Sequence, residues 1–302
     1  MVSDSTLELT ACGMALDASS QALGELRRTE RTDGPTVRRR IAEDGYVYIP
    51  GFYPREDVEA ARRELTGFLA AEGSLDPAYP SLEAIAKEGL QMNFRPDLGN
   101  NSPALSSLIY SERVTAFYEE VLGGPIRHYD FTWLRAIAPG VGSDPHLDIV
   151  FMGRGTTKLL TGWTPLGDIP LRVGGLIVLE GSHQATELKE TYGRLDVDAM
   201  CSNGGDQNLT AARGFMRSGA ITKDPVKLRE ELGGRWLTTE FEMGDFLTFG
   251  MFTVHASLDN HSQEVRLSSD SRYQLASEPI DERWVGENPI AHGPDAKRPT
   301  IC

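Results

Sequence analysis

No run of eighteen apolar residues occurs anywhere in this 302-residue chain, so no segment reads as a membrane-spanning helix. The stretch from Met1 to Cys12 has no basic patch ahead of an apolar one, and no secretory leader is expected. Cysteine is scarce. Cys12, Cys201 and Cys302 are an odd, scattered set without metal-type spacing, so a disulfide framework is not expected and a reducing cytoplasm is the simplest home. Positive charge is also short, with 30 Lys and Arg against 44 Asp and Glu and a net charge of −14. Phosphate recognition needs clustered Lys and Arg, so nucleic acid is not an expected partner and a polyanionic substrate is disfavoured. The expected partner is a small molecule, and nothing in the sequence sets an oligomeric state.

What is present divides into two textures. The first 35 residues are polar and read as an N-terminal arm. Helical spacing follows over Pro35–Glu43, over Pro54–Ala71 and over Asn101–Leu122, the last stopped by Gly123-Gly124, and Tyr46 to Ile49 is a β-rich run closed by Pro50-Gly51. From residue 126 short β-rich runs take over, at 127–138, 147–152, 158–166, 175–180, 237–242, 246–254 and 264–275. Such spacing predicts a sandwich or barrel. A polar segment, 184–235, interrupts it, with a helical patch near 224–232, and reads as a lid or binding insertion. The resulting division is an arm (1–35), one domain (36–280) carrying that insertion, and a C-terminal tail (281–302).

Six histidines are present, and two of them start a His-x-Asp: His128-Tyr129-Asp130 and His146-Leu147-Asp148. On a strand, positions i and i+2 share a face, so both side chains reach one metal. Two imidazoles and a carboxylate leave three adjacent coordination positions open, as an iron(II) oxygenase needs. The pattern alone is weak, and the ordinary alternative for either match is a structural histidine near a turn. Downstream, Phe246–Phe249 reads as a strand leading to His255-Ala256-Ser257, and Arg266 follows eleven residues after His255 across a reversal. A guanidinium fork there suits a distal carboxylate.

At these residues the chain resembles the phytanoyl-CoA dioxygenase family of iron(II)/2-oxoglutarate oxygenases. The likeness runs from Asp44-Gly45-Tyr46 and Ile49-Pro50-Gly51-Phe52, through Pro145-His146-Leu147-Asp148, Gly162-Trp163 and Gly174-Gly175-Leu176, to Gly181-Ser182-His183, His255-Ala256-Ser257, Arg266 and Arg272-Tyr273. It covers roughly residues 37–280. The resemblance implies a mainly β fold, a double-stranded β-helix (jelly-roll) core with flanking N-terminal α-helices. It implies His146, Asp148 and His255 as iron ligands, Arg266 and Ser257 on the far carboxylate of 2-oxoglutarate, and Trp163 lining the co-substrate pocket. It favours His146 over His128 and gives His183 a structural role. Two positions depart from the pattern: Glu180 stands where Pro is usual, and Leu176 where Thr is frequent. The presence of Asp148 disfavours the related halogenases, which lack this carboxylate.

For the substrate, the polar cluster Gln91, Asn93 and Arg95 is a candidate, with an exposed loop as its alternative. Trp133 and Arg135 share a facing on the strand before the metal motif, core packing being the alternative for Trp133. Arg213, Phe215 and Arg217 are candidate lid contacts, with a solvated face as the alternative; His261 and His292 read as solvated loop residues. The implied reaction is hydroxylation of an unactivated C–H bond of a small metabolite or natural-product intermediate, with dioxygen consumed and succinate and carbon dioxide released. The alternatives are a fatty acyl-CoA hydroxylase of the same chemistry, a non-catalytic β-sandwich binding module, and a zinc hydrolase, for which no general base is evident.

Overall fold

The structure is a computed structural model that describes residues 8–201 and 219–300. Two sheets face each other. Strands β1 (Leu23–Glu25), β2 (Tyr46–Ile49), β3 (Ile126–His128), β4 (Trp133–Ile137), β5 (Leu160–Pro165), β6 (Leu176–Leu179), β7 (Trp236–Thr238), β8 (Phe246–Gly250), β9 (His255–Ser257) and β10 (Arg266–Leu275) build them. The larger sheet runs β2-β8-β5-β10-β3, with β4 also paired to β10, and all its pairings are antiparallel. The smaller runs β9-β6-β7-β1, where β1 joins β7 in parallel. The stretch expected as an arm therefore supplies an edge strand, and its Leu9 and Ala11 are buried. This is the jelly-roll architecture expected from the sequence.

Helices α1 (Gly34–Asp44), α2 (Arg55–Ala71), α3 (Pro103–Ile109) and α4 (Glu112–Leu122) cover the outer face of the larger sheet. Asp33 starts α1 by accepting a hydrogen bond from the Thr36 amide at 3.0 Å, and Gly45, at φ +80°, ends it. The apolar positions of these helices (Val58, Leu65, Leu105, Val114, Tyr118) meet Leu134, Leu160, Leu267 and Tyr273 of the sheet. On β4, β5 and β10 those residues alternate with another set. Register places Trp133, Asp270 and Trp163 in one cross-strand row and Arg272 and Thr161 in the next, on the opposite, inner face. The alternation thus puts hydrocarbon toward the helices and chemistry between the sheets.

Three expected elements differ. The single helix over Asn101–Leu122 is two, parted at Tyr110-Ser111, and the run 127–138 is two strands, parted at 129–132. The strand gives way where the Asp130 and Phe131 amides donate to the Trp284 carbonyl, at 2.9 and 3.2 Å. The Tyr110 hydroxyl donates to the Tyr129 carbonyl at 3.0 Å and lies 3.1 Å from Thr132 Oγ1, so the helix stops where its side chain is pulled into the interrupted strand. The run 147–152 is not a strand: Ile149–Met152 is a helical turn, α5, begun by the carbonyl of Asp148. Leu147 to Val150 are buried throughout, so no alternation distinguished strand from helix. The expected helix near 224–232 is α6 (Pro225–Leu232). Glu180 and Arg235 close the base of the 184–235 segment through two 2.8 Å hydrogen bonds, which gives the unusual Glu180 a partner. Among the described residues no helix is long and apolar enough to cross a membrane.

Candidate metal centre and co-substrate pocket

His146 and His255 are drawn together by the backbone. Their peptide groups exchange hydrogen bonds of 3.0 and 3.2 Å, which extends the smaller sheet by one residue pair beside β9. Each imidazole then turns Nδ1 to a carbonyl two residues upstream: His146 to Asp144 at 2.8 Å, His255 to Thr253 at 3.0 Å. This fixes both rings with Nε2 bare, the arrangement a ligating histidine requires. Both Nε2 atoms lie 3.8 Å from the same oxygen, Asp148 Oδ1. The three candidate donor atoms fall within 4.8 Å of one another. His-x-Asp does not work here by strand parity, because Asp148 has left the strand and begins α5 with φ −62° and ψ −28°. The helical turn, not the pleat, swings its carboxylate toward the imidazoles.

Asp148 is 2 % exposed. Its second oxygen, Oδ2, accepts a 2.5 Å hydrogen bond from Thr161 Oγ1 and lies 3.1 Å from Arg272 Nη2. Burial alone would raise its pKa, but the Arg272 charge and the Thr161 hydroxyl help to outweigh it and hold the carboxyl below the usual range. Burial lowers the pKa of both imidazoles. The result is a neutral nitrogen pair and an ionised carboxylate, the donor set that a borderline divalent metal such as iron(II) takes.

A narrow inner pocket runs from this centre between the sheets, lined by Trp163, Leu176, Ser257, Arg266, Arg135 and Asp270 as well as the two histidines. Arg266 is 3 % exposed. It donates through Nη1 to the Gly174 carbonyl and leaves Nε buried with no partner. Burial, then the charge of Arg135, push its pKa down to about 9. An under-satisfied buried guanidinium is costly by itself, and a carboxylate in the pocket would complete it. The residues therefore fit 2-oxoglutarate as well as the metal.

Outside lies an open cleft of about 710 Å³, reached by Asn93, Phe94, Trp133, Arg135, Asp148 and Arg272. Arg135 lines both cavities and donates from Nε to Asp270 at 3.0 Å. Asn93 lies on the cleft wall. Gln91 is exposed and Arg95 is turned into a network with Glu72 and Asp97; neither lines the two cavities. Trp133 both packs in the core, against Phe131 and Trp284, and faces the cleft. His128 stacks on Tyr110 at 3.9 Å, pairs with Tyr273 of β10, and is not among the three converging donors. Arg213, Phe215 and Arg217 lie outside the described residues.

His292 sits exposed in a turn, as expected, yet it also makes contacts at the cleft. It lines the cleft, donates or accepts at 2.8 Å with the fully buried Asp198, and meets the Trp284 ring edge-on at 4.8 Å. Arg272, Thr161 and Asp270 were also not singled out as site residues from the sequence. The available signal was the parity of Arg266, Asp270 and Arg272, three charged residues on one face of a buried strand.

The model of the family described as phytanoyl-CoA dioxygenase matches residues 41–268. The chain is 28 % identical over 265 residues to 1-deoxypentalenic acid 11-beta-hydroxylase of Streptomyces exfoliatus, covering 81 % of this chain and 82 % of that protein. Among solved structures it resembles the non-haem α-ketoglutarate-dependent carbocyclase SnoK from nogalamycin biosynthesis, with a TM-score of 0.59, 19 % identity, and coverage of 83 % and 90 %. It also resembles the epimerase SnoN in complex with Fe3+, α-ketoglutarate and nogalamycin RO, with a TM-score of 0.56, 20 % identity, and coverage of 88 % and 94 %. With a matched segment that spans the jelly roll and the converging His146, Asp148 and His255, the chain belongs to the phytanoyl-CoA dioxygenase family of iron(II)/2-oxoglutarate oxygenases.

Proposed function

We propose that this enzyme hydroxylates an unactivated C–H bond of a small natural-product intermediate, with iron(II) on His146, Asp148 and His255 and 2-oxoglutarate on Arg266, Ser257 and Trp163. The observation that carries the assignment is the convergence of two bare Nε2 atoms and one carboxylate oxygen beside a buried guanidinium with a free N–H. Bound iron(II) with 2-oxoglutarate supplies the oxidising power, using dioxygen and giving succinate and carbon dioxide. The protein's own groups do the placing. Arg266 and Ser257 hold the far carboxylate of the co-substrate, and Trp163 walls the pocket and excludes water. Trp133, Arg135 and Asn93 border the space where the substrate sits, and Ala220 and Lys223 bring the 184–235 segment to its mouth as a cover.

The charge pattern of the cleft favours a small substrate over a fatty acyl-CoA. Arg135, Arg272 and Lys223 each face a carboxylate, Asp270, Asp148 and Asp144 respectively, so among the described residues the cleft lining has no free cation array for a nucleotide's phosphates. The hydroxylase relative named above acts, by its name, on 1-deoxypentalenic acid, which agrees with that preference. Anaerobic addition of iron(II) and 2-oxoglutarate should give a weak visible charge-transfer band that His146→Ala and Asp148→Ala abolish. Its absence in the unmodified protein would sink the oxygenase reading in favour of a silent binding module. Succinate release tested across small metabolites and fatty acyl-CoAs then decides the substrate class.

A further inference from the structure

Asp148 presents its two oxygens to different surroundings. Oδ1 faces both imidazole Nε2 atoms at 3.8 Å. Oδ2 faces away and is held from two sides, by the Thr161 hydroxyl at 2.5 Å and by Arg272 Nη2 at 3.1 Å. Arg272 is itself immobilised. It is 1 % exposed, its Nε reaches the Met152 sulfur at 3.2 Å, its Nη1 reaches the Ser271 carbonyl at 3.3 Å, and its guanidinium lies 4.7 Å from the Trp133 ring centre. Met152 closes the helical turn that Asp148 opens, so one guanidinium touches both ends of α5. Thr161 and Arg272 are cross-strand partners on β5 and β10, which places the two donors side by side by register.

Burying a full positive charge beside a cation site is unfavourable unless it serves the carboxylate. We propose that Arg272 and Thr161 are positioning residues that hold Asp148 as a one-oxygen metal ligand, and that metal affinity depends on them through Asp148 alone. This rests on the assignment of the metal to His146, Asp148 and His255. With Oδ2 engaged by two donors, the carboxylate would offer a bound metal only Oδ1, which would leave room for the co-substrate.

The sign of the effect separates this from a spectator role. Like charges repel, so a spectator Arg272 would weaken metal binding, and its removal would tighten it. A positioning Arg272 has the opposite signature, since loss of an outer partner of a metal ligand typically costs about 10–100-fold in affinity. The test is the dissociation constant of Mn(II) alone, by calorimetry on metal-free protein, for the unmodified chain, Arg272→Met, Thr161→Val, Asp148→Ala and the Asp148→Ala/Arg272→Met double variant, with thermal unfolding of each. Arg272→Met should weaken Mn(II) about 10–100-fold and Thr161→Val by a smaller factor in the same direction. In the Asp148→Ala background, Arg272→Met should change nothing or tighten binding. Unchanged or tighter binding in both single variants would overturn the proposal. So would equal weakening by Arg272→Met with and without Asp148, which would make Arg272 merely structural. If Arg272→Met does not fold, Thr161→Val, which keeps the side-chain shape, carries the test. Failure of the unmodified protein to bind Mn(II), or binding that His146→Ala leaves intact, would instead overturn the metal assignment.

Discussion

At the scale of the residue, most of the chemistry rests on what each polar side chain lacks. Arg266 has a backbone carbonyl on one nitrogen and nothing on Nε, and it sits in a pocket too buried for solvent to make up the difference. Hydrogen bonds to charged groups contribute about 1.5–3 kcal/mol each. Arg266→Met should therefore weaken 2-oxoglutarate about 10–100-fold while leaving Mn(II) affinity unchanged, as read by calorimetry with Mn(II)-loaded protein. An equal loss of metal and co-substrate binding would point to local collapse instead. Gly45 gives a purely conformational case. It closes α1 at φ +80°, and a Cβ there would meet the His183 ring at 2.5 Å. Gly45→Ala should cost about 1–3 kcal/mol in urea unfolding, from left-handed strain and displacement of that ring.

Elements bring a different distinction, between ties that hold the fold and ties that only close a surface. The Glu180–Arg235 pair at the base of the 184–235 segment is about 40 % exposed on both sides and is worth no more than about 1 kcal/mol. The segment 281–300 is anchored differently. Arg283, 3 % exposed, reaches Asp281 and Asp198 at 2.6 Å and the Phe151 carbonyl of α5 at 2.8 Å. Arg283→Met would leave these buried carboxylates without their guanidinium and should cost about 3–5 kcal/mol. Glu180→Ala should leave the unfolding midpoint nearly unchanged. If the two variants proved equally stable, the tail would be a surface attachment and the Asp198 cluster would not be part of the folded unit. The sequence signalled neither Glu180–Arg235 nor Arg283–Asp198, because each joins residues more than fifty positions apart.

For the molecule as a whole, buried histidine is the main pH liability. Burial lowers the pKa of His146 and His255, and partial desolvation lowers those of the half-buried His183 and the more exposed His292, below the ordinary value of 6.5. The native state then binds fewer protons than the unfolded chain once the pH falls through 6.5, so stability drops in that direction. Metal-free protein should unfold at progressively lower temperature between about pH 7 and pH 5, and saturating Mn(II) should raise the midpoint most at the upper end of that range, where the imidazoles are free to ligate. A midpoint flat across that window would contradict the neutral-imidazole picture.

By itself the sequence determined the class of architecture and the short list of reactive residues. Strand spacing, the ordered motif set and the order His146, Asp148, His255, Arg266 are local or sequential properties, and physical chemistry ties each to a residue type. Tertiary structure decided what local pattern cannot carry. It set the αR turn at Asp148 that replaces strand parity, because a run buried at every position from Leu147 to Val150 has no in-out alternation to read. It broke the 101–122 helix at a tyrosine whose partner lies about twenty residues away. It turned Arg95 toward Glu72 and Asp97 rather than the cleft, because those carboxylates lie within hydrogen-bond reach and Arg95 is one residue past the cleft wall. It also brought Arg272 and Thr161 onto one carboxylate through the register of β5 and β10, which no single stretch of chain encodes.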